Sequence, residues 1–195
     1  MLGGLIDRIG PPRPRRRPEG PTPDDHYGAL VRSIVGQQLS VTAARAIYGR
    51  LLERFGGRPP TPQEVLAQDE EELRAAAGLS RAKVGFLRSL AEHVVAGELE
   101  LDHVARLADE EIVAELCAVR GIGEWSAHMF LMFQLERPDV LAGGDLGVRR
   151  AAQRAYGLPE LPSAGELRAL AQPWRPHRTL ACRYLWRSLD NEPAA

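Results

Sequence analysis

Apolar and polar positions alternate along this chain with a helical period almost from end to end. Leu2, Leu5, Ile6 and Ile9 predict a short amphipathic helix over 2–9. Tyr27, Leu30, Val31, Ile34 and Val35 form the next apolar face, which breaks at Gly36-Gln37-Gln38-Leu39. Ser40, or Val41-Thr42, then caps a helix running through Phe55. Gly56 to Thr61 reads as a loop, and Pro62 starts a short helix to Ala67. Glu70 to Ala77 is helical and stops at Gly78; Ser80 caps a longer helix whose core face is Val84, Leu87, Leu90 and Val94, ending near Gly97. Asp109 is placed as an N-cap, with Ile112, Leu116 and Val119 facing inward. After Gly121-Ile122-Gly123 a second helix opens near Glu124 and carries Trp125, Met129, Phe130 and Phe133. Helices over 146–156, over Glu166–Ala171 behind Ser163, and over 176–189 complete the pattern. No stretch predicts a strand, so the fold class is all-α. No repeat of fixed period is present.

The two glycines of 121–123 allow a tight turn with positive φ, so the flanking helices form a helix–hairpin–helix. Its turn and the first amides of the following helix offer N–H groups to a phosphate; an ordinary αα-corner is the alternative. About twenty residues on, Asp145 stands in Gly143-Gly144-Asp145-Leu146-Gly147, before another helix that it is placed to cap.

Composition refines this picture. The 195 residues suit one domain or two closely packed lobes, and no apolar run approaches a membrane span. The net charge of −1 is an average over unlike segments. Residues 63–115 carry a balance of −8, whereas 149–187 carry +6 and the first twenty residues +3, which leaves basic surface for a polyanion. Pro/Arg-rich residues 11–25 form a connector that cannot be helical, dividing an N-terminal piece (1–25) from a main domain (26–195). Cys117 and Cys182 sit among apolar neighbours and read as buried, reduced thiols. Two cysteines cannot by themselves hold an iron–sulfur cluster, which needs four thiolates. Lys83 is the only lysine, so the basic surface is arginine, suited to phosphate and poor in primary amines.

GIGEWSAHMF followed by GGDLGVRRA resembles the helix–hairpin–helix DNA glycosylase superfamily, and within it the alkylpurine (3-methyladenine type II) branch. LVRSIVGQQLSVTAARAIYGRL (30–51), LSRAKVGFLRSLAEHVVAGEL (79–99) and PWRPHRTLACRYLW (173–186) agree with that branch in the same order. The resemblance implies a two-lobed helical fold with an active-site cleft between the lobes, in a compact form without the N-terminal β-domain of many members. It implies hydrolysis of the N-glycosidic bond of alkylated bases flipped out of duplex DNA, leaving an abasic site.

Residue by residue, Asp145 matches the family's aspartate, with Asp139 in the same loop as a neighbouring acid. Trp125 and Trp174 match pocket indoles, Met129 stands where tyrosine is usual, and Tyr27 and His26 are weaker pocket candidates. The hairpin (116–127) would hold DNA backbone through Arg120, Gly121, Gly123 and Ser126. Arg178 is read as facing Asp145 or a phosphate, with an ordinary surface salt bridge as the alternative, and Trp186 as core. Gln38 or Leu39 is read as the wedge that fills the vacated stack, with a structural turn as the alternative. Such hairpins often enlist a monovalent cation at the carbonyls of Val119–Gly123; no other metal or cofactor is implied. Lyase-type relatives carry a lysine two residues after the G-h-G turn, where this chain has Trp125, so no strand cleavage is expected. The reading therefore expects a cytoplasmic monomer on double-stranded DNA. A non-catalytic DNA-binding module and a glycosylase for another damaged base are the alternatives.

Overall fold

A computed structural model describes residues 2–11 and 25–190. All regular structure among the described residues is helical. Most of the Pro/Arg-rich connector lies outside the described residues.

The chain divides into two compact units, one formed by the described residues 25–130 and the other by 2–11 with 131–190. The first holds α2 (His26–Gly36), α3 (Val41–Arg54), α4 (Pro62–Ala67), α5 (Glu70–Ala77), α6 (Arg81–Val95), α7 (Leu101–Val104), α8 (Asp109–Ala118) and most of α9 (Glu124–Phe133). Of the predicted inward positions Leu30, Ile34, Leu87, Leu90, Ile112 and Leu116 are fully buried, joined by Leu51 and Leu73, while Val94 is only half-buried. Each fully buried side chain contributes about 1.5–3 kcal/mol by leaving water. Ser40, Thr61, Asp69 and Ser80 each accept a backbone N–H at the start of their helices. The start of α8 differs from expectation. Ala108 occupies the cap position and Asp109 the first helical one, while Glu111 reaches back to accept from the Ala108 N–H at 2.9 Å. Three acids in one turn already favour the helix N-terminus, so the cap oxygen is dispensable.

The second unit holds α1 (Leu2–Ile9), the end of α9, α10 (Leu146–Tyr156), α11 (Ala164–Leu170), a 3₁₀ turn (Gln172–Trp174) and α12 (Arg178–Asp190). Within this unit α1 packs on α12. Tyr184 Oη donates to the Gly10 carbonyl at 3.1 Å, and Arg187 donates to those of Ile9 and Pro11. Those bonds satisfy carbonyls that a helix C-terminus leaves open. Cys182 is buried as expected, but Cys117 is exposed. Its place on α8 faces away from Ile112 and Leu116, which the apolar company of its neighbours in sequence conceals.

Candidate active site

In the first unit α8 stops at Ala118, where Val119 turns extended (φ −75°, ψ 123°), and Gly121, at φ 94°, completes the turn. Ile122 N–H donates to the Val119 carbonyl at 3.1 Å, and Ala127 N–H to that of Gly123 at 3.0 Å. Val119 and Ile122 are buried and anchor the turn, leaving Arg120 and Gly123 exposed. A side chain at 121 would run into the ring of Phe86. The Arg120 guanidinium lies 5.9 Å over that ring, and its backbone N–H donates to Ser89 Oγ. The first amides of α9 lack intrahelical acceptors, as at any helix start.

Gln37 is the residue that the sequence reading missed. Its Nε2 donates to the Gly121 carbonyl at 2.8 Å and lies 3.4 Å from Ser126 Oγ. Ser126 is buried, so the expected backbone contact is limited to its main-chain N–H; the hydroxyl belongs to this internal link. The carbonyls of Val119 and Gly121 each already accept one hydrogen bond and keep a second lone pair. That donor set fits a weakly bound monovalent cation.

The loop following α2 carries Gln38, exposed with φ 55°, and Leu39, 37% exposed; Val41, the first residue of α3, is 76% exposed. Both wedge candidates thus point outward. Behind them Lys83 Nζ donates to the Val35 carbonyl at 2.7 Å, and burial lowers its pKa. Trp125 is 49% exposed on the first turn of α9, with Met129 half-buried one turn on. Tyr27 is placed elsewhere. It lines a cavity of about 360 Å³ with Asp25 and residues 58–62, and burial raises its phenol pKa. His26 meets the Phe130 ring edge-on.

In the second unit, Asp145 is half-buried. It caps α10, its Oδ1 accepting from Val148 N–H at 2.8 Å. The same oxygen accepts from Trp186 Nε1 at 2.9 Å. Trp186 is therefore no mere core residue: it stacks on Phe133 at 6.1 Å and aims its one donor at the candidate acid. Gly147 leaves room for this pair, since a Cβ there would approach Asp145 Oδ1 to 3.0 Å and Trp186 Cδ1 to 3.2 Å.

Two expectations for this unit change. Arg178 faces Asp139, to whose carboxylate Nε donates at 2.7 Å and Nη2 at 3.0 Å, with a further bond from Nη2 to the Asp139 carbonyl. Its side chain is 13% exposed, and its donors are turned to Asp139. Burial pushes the Asp139 carboxyl up, and the hydrogen bonds and charges of Arg178 and Arg175 outweigh that and hold it below the ordinary aspartate value. Trp174 is 6% exposed and donates Nε1 to Tyr156 Oη at 2.8 Å. It is packing for α10, and its indole offers no free face of pocket size; the indole at the acid is Trp186.

Residues 31–176 match the family model described as the HhH-GPD superfamily base excision DNA repair protein. The chain belongs to the HhH-GPD superfamily. This HhH-GPD protein is 35% identical over 186 residues to DNA-3-methyladenine glycosylase 1 of Schizosaccharomyces pombe, covering 94% of this chain and 80% of that protein. Among solved structures it is similar to a DNA-3-methyladenine glycosidase from Bacillus halodurans (37% identity, TM-score 0.84, covering 97% of this chain and 84% of that one). It is similar too to the S. pombe enzyme Mag1 in complex with abasic DNA (32% identity, TM-score 0.84, 99% and 93% covered).

Proposed function

We propose that this HhH-GPD protein is a monofunctional DNA glycosylase that removes alkylated bases of the 3-methyladenine class from duplex DNA in base excision repair. The observation that carries the reading is Asp145, a half-buried carboxylate steadied by Trp186 on the oxygen that caps α10. The names of its relatives support the same activity.

Breaking the bond between C1′ and the base nitrogen leaves the electron pair on the departing base and positive charge on the sugar. A carboxylate at that carbon stabilises the charge and takes the proton of the attacking water, whose oxygen ends on C1′. An alkylated purine is already cationic, so it departs neutral. The exposed indole of Trp125 suits such a base through cation–π stacking worth about 0.5–2 kcal/mol. Gln38 and Leu39 suit the filling of the gap left by base extrusion. The hairpin, through Arg120, Gly121, Gly123 and the first amides of α9, suits a phosphate. A monovalent cation held by the Val119 and Gly121 carbonyls would add positive charge there. Lys83, the one lysine, is engaged with the Val35 carbonyl, which speaks against imine formation and strand cleavage. The protein acts as a monomer in the compartment that holds DNA.

The deciding experiment is free-base release from methylated duplex DNA, resolved by chromatography, for wild type and Asp145→Asn. Wild type releases methylated purines and leaves uncut abasic strands. Asp145→Asn releases none, while its duplex binding holds or tightens because a charge facing phosphate is gone. Binding without release by wild type would identify a non-catalytic module instead.

A further inference from the structure

Three side chains of α12, spaced four residues apart and hence on one helical face, meet the 139–145 loop in chain order. Arg178 holds the Asp139 carboxylate and carbonyl, Cys182 Sγ lies 4.0 Å from the Val140 carbonyl, and Trp186 reaches Asp145. Thr179 reinforces the first contact: its N–H donates to the Pro138 carbonyl, its hydroxyl to that of Arg137, and the hydroxyl oxygen accepts from Val140 N–H. Burial above all pushes the Cys182 thiol up to about 11, so it stays a neutral donor. The helix and the loop thus run side by side with a fixed register.

We propose that the Arg178–Asp139 ion pair is a positioning device for Asp145, setting the register of α12 so that Trp186 delivers its N–H to the acid. Both ion-pair partners are mostly withdrawn from solvent, with side chains 13% and 20% exposed. The geometry is two-pronged and arginine-specific, since Nε, Nη2 and the main-chain N–H of residue 178 all converge on Asp139. A lost clamp lets α12 slide, and an acid misplaced by an ångström can forfeit about a hundredfold in rate. Arg178 acts in this way through Trp186, without touching the substrate. The kinetic side of the proposal rests on the glycosylase reading; the structural side does not.

The test therefore uses two readouts on the full chain. The three tryptophans give three indole N–H resonances in ¹⁵N-labelled protein, assigned by Trp→Phe variants. Arg178→Met should shift the Trp186 indole resonance and speed its hydrogen exchange, leaving that of Trp174 unmoved. In single-turnover assays it should slow base release by about tenfold or more with duplex Kd within about threefold, and add nothing in a Trp186→Phe background. Asp139→Asn, which keeps the carbonyl contact, should move both readouts the same way but less. An unmoved Trp186 resonance overturns the proposal, whatever the kinetics. So does a rise in Kd with an unchanged release rate, which would make Arg178 a phosphate contact. Should wild type release no base, the glycosylase reading falls and the indole resonance still decides the clamp.

Discussion

Gln37 and Gly121 lie 84 residues apart in sequence and are joined by a 2.8 Å hydrogen bond from side-chain amide to carbonyl. The bond ties the loop that presents Gln38 and Leu39 to the turn that offers amides to phosphate. Removing one partly buried hydrogen bond costs about 1 kcal/mol. Gln37→Ala should therefore lower Tm by roughly 2–4 °C and, by loosening the two loops, weaken binding to an undamaged duplex by up to about fivefold. Fluorescence anisotropy on a labelled duplex measures this, and wild-type affinity in the variant would show that the link has no part in binding.

Gly121 offers a sharper contrast. It combines φ 94° with the face of Phe86 where a side chain would go, while Gly123, two residues on, has open space at that position. Gly121→Ala should cost about 1–3 kcal/mol, at roughly 2–4 °C in Tm per kcal/mol for a chain of this size. Gly123→Ala should unfold near the wild-type temperature. Calorimetry of the two variants side by side checks whether the turn, or glycine content in general, sets the requirement.

How far the sequence could be read depends on the range of the forces involved. Caps and turns are local, so Ser40, Ser80, Ser163 and Gly78 announce their roles by type and spacing. The capping role of Asp145 was legible from the N-cap preference alone. Partner choice across the fold was not legible. Asp139 and Asp145 lie in one loop, and which of them Arg178 meets depends on the register of α12, which no local pattern encodes. Trp186 hid among apolar neighbours for a related reason: periodicity marks a side chain as inward but cannot show that its N–H meets a carboxylate. The contact between Gln37 and the Ser126 hydroxyl was hidden likewise, since the two residues lie 89 apart in sequence.

Trp125 stands 49% exposed at the start of α9, so part of its indole is open to stacking. Stacking against a cationic purine is worth more than against a neutral one. Trp125→Ala should reduce the preference for methylated over normal purines by about fivefold to thirtyfold, from the roughly 1–2 kcal/mol such stacking supplies. Competition assays with methylated and unmethylated duplexes read the ratio directly, and unchanged selectivity would remove the residue from the pocket.

The Asp139–Arg178 pair also sets a pH dependence whose sign follows from its direction. The folded-state pKa of Asp139 lies below its ordinary value of 3.8, against burial, because the arginines favour the charged form. A depressed carboxylate stabilises the fold at pH above the unfolded value, where it is ionised in both states. That stabilisation is lost as pH falls through the folded value and the carboxyl takes up its proton. Wild type should therefore exceed Asp139→Asn in unfolding free energy at neutral pH, by an amount that stays level down to about pH 5 and shrinks below about pH 4. Urea unfolding of both proteins across that range makes the measurement. A gap that widened toward acid pH would mean that Asp139 is held protonated in the fold, and the ion pair with Arg178 would have to be abandoned.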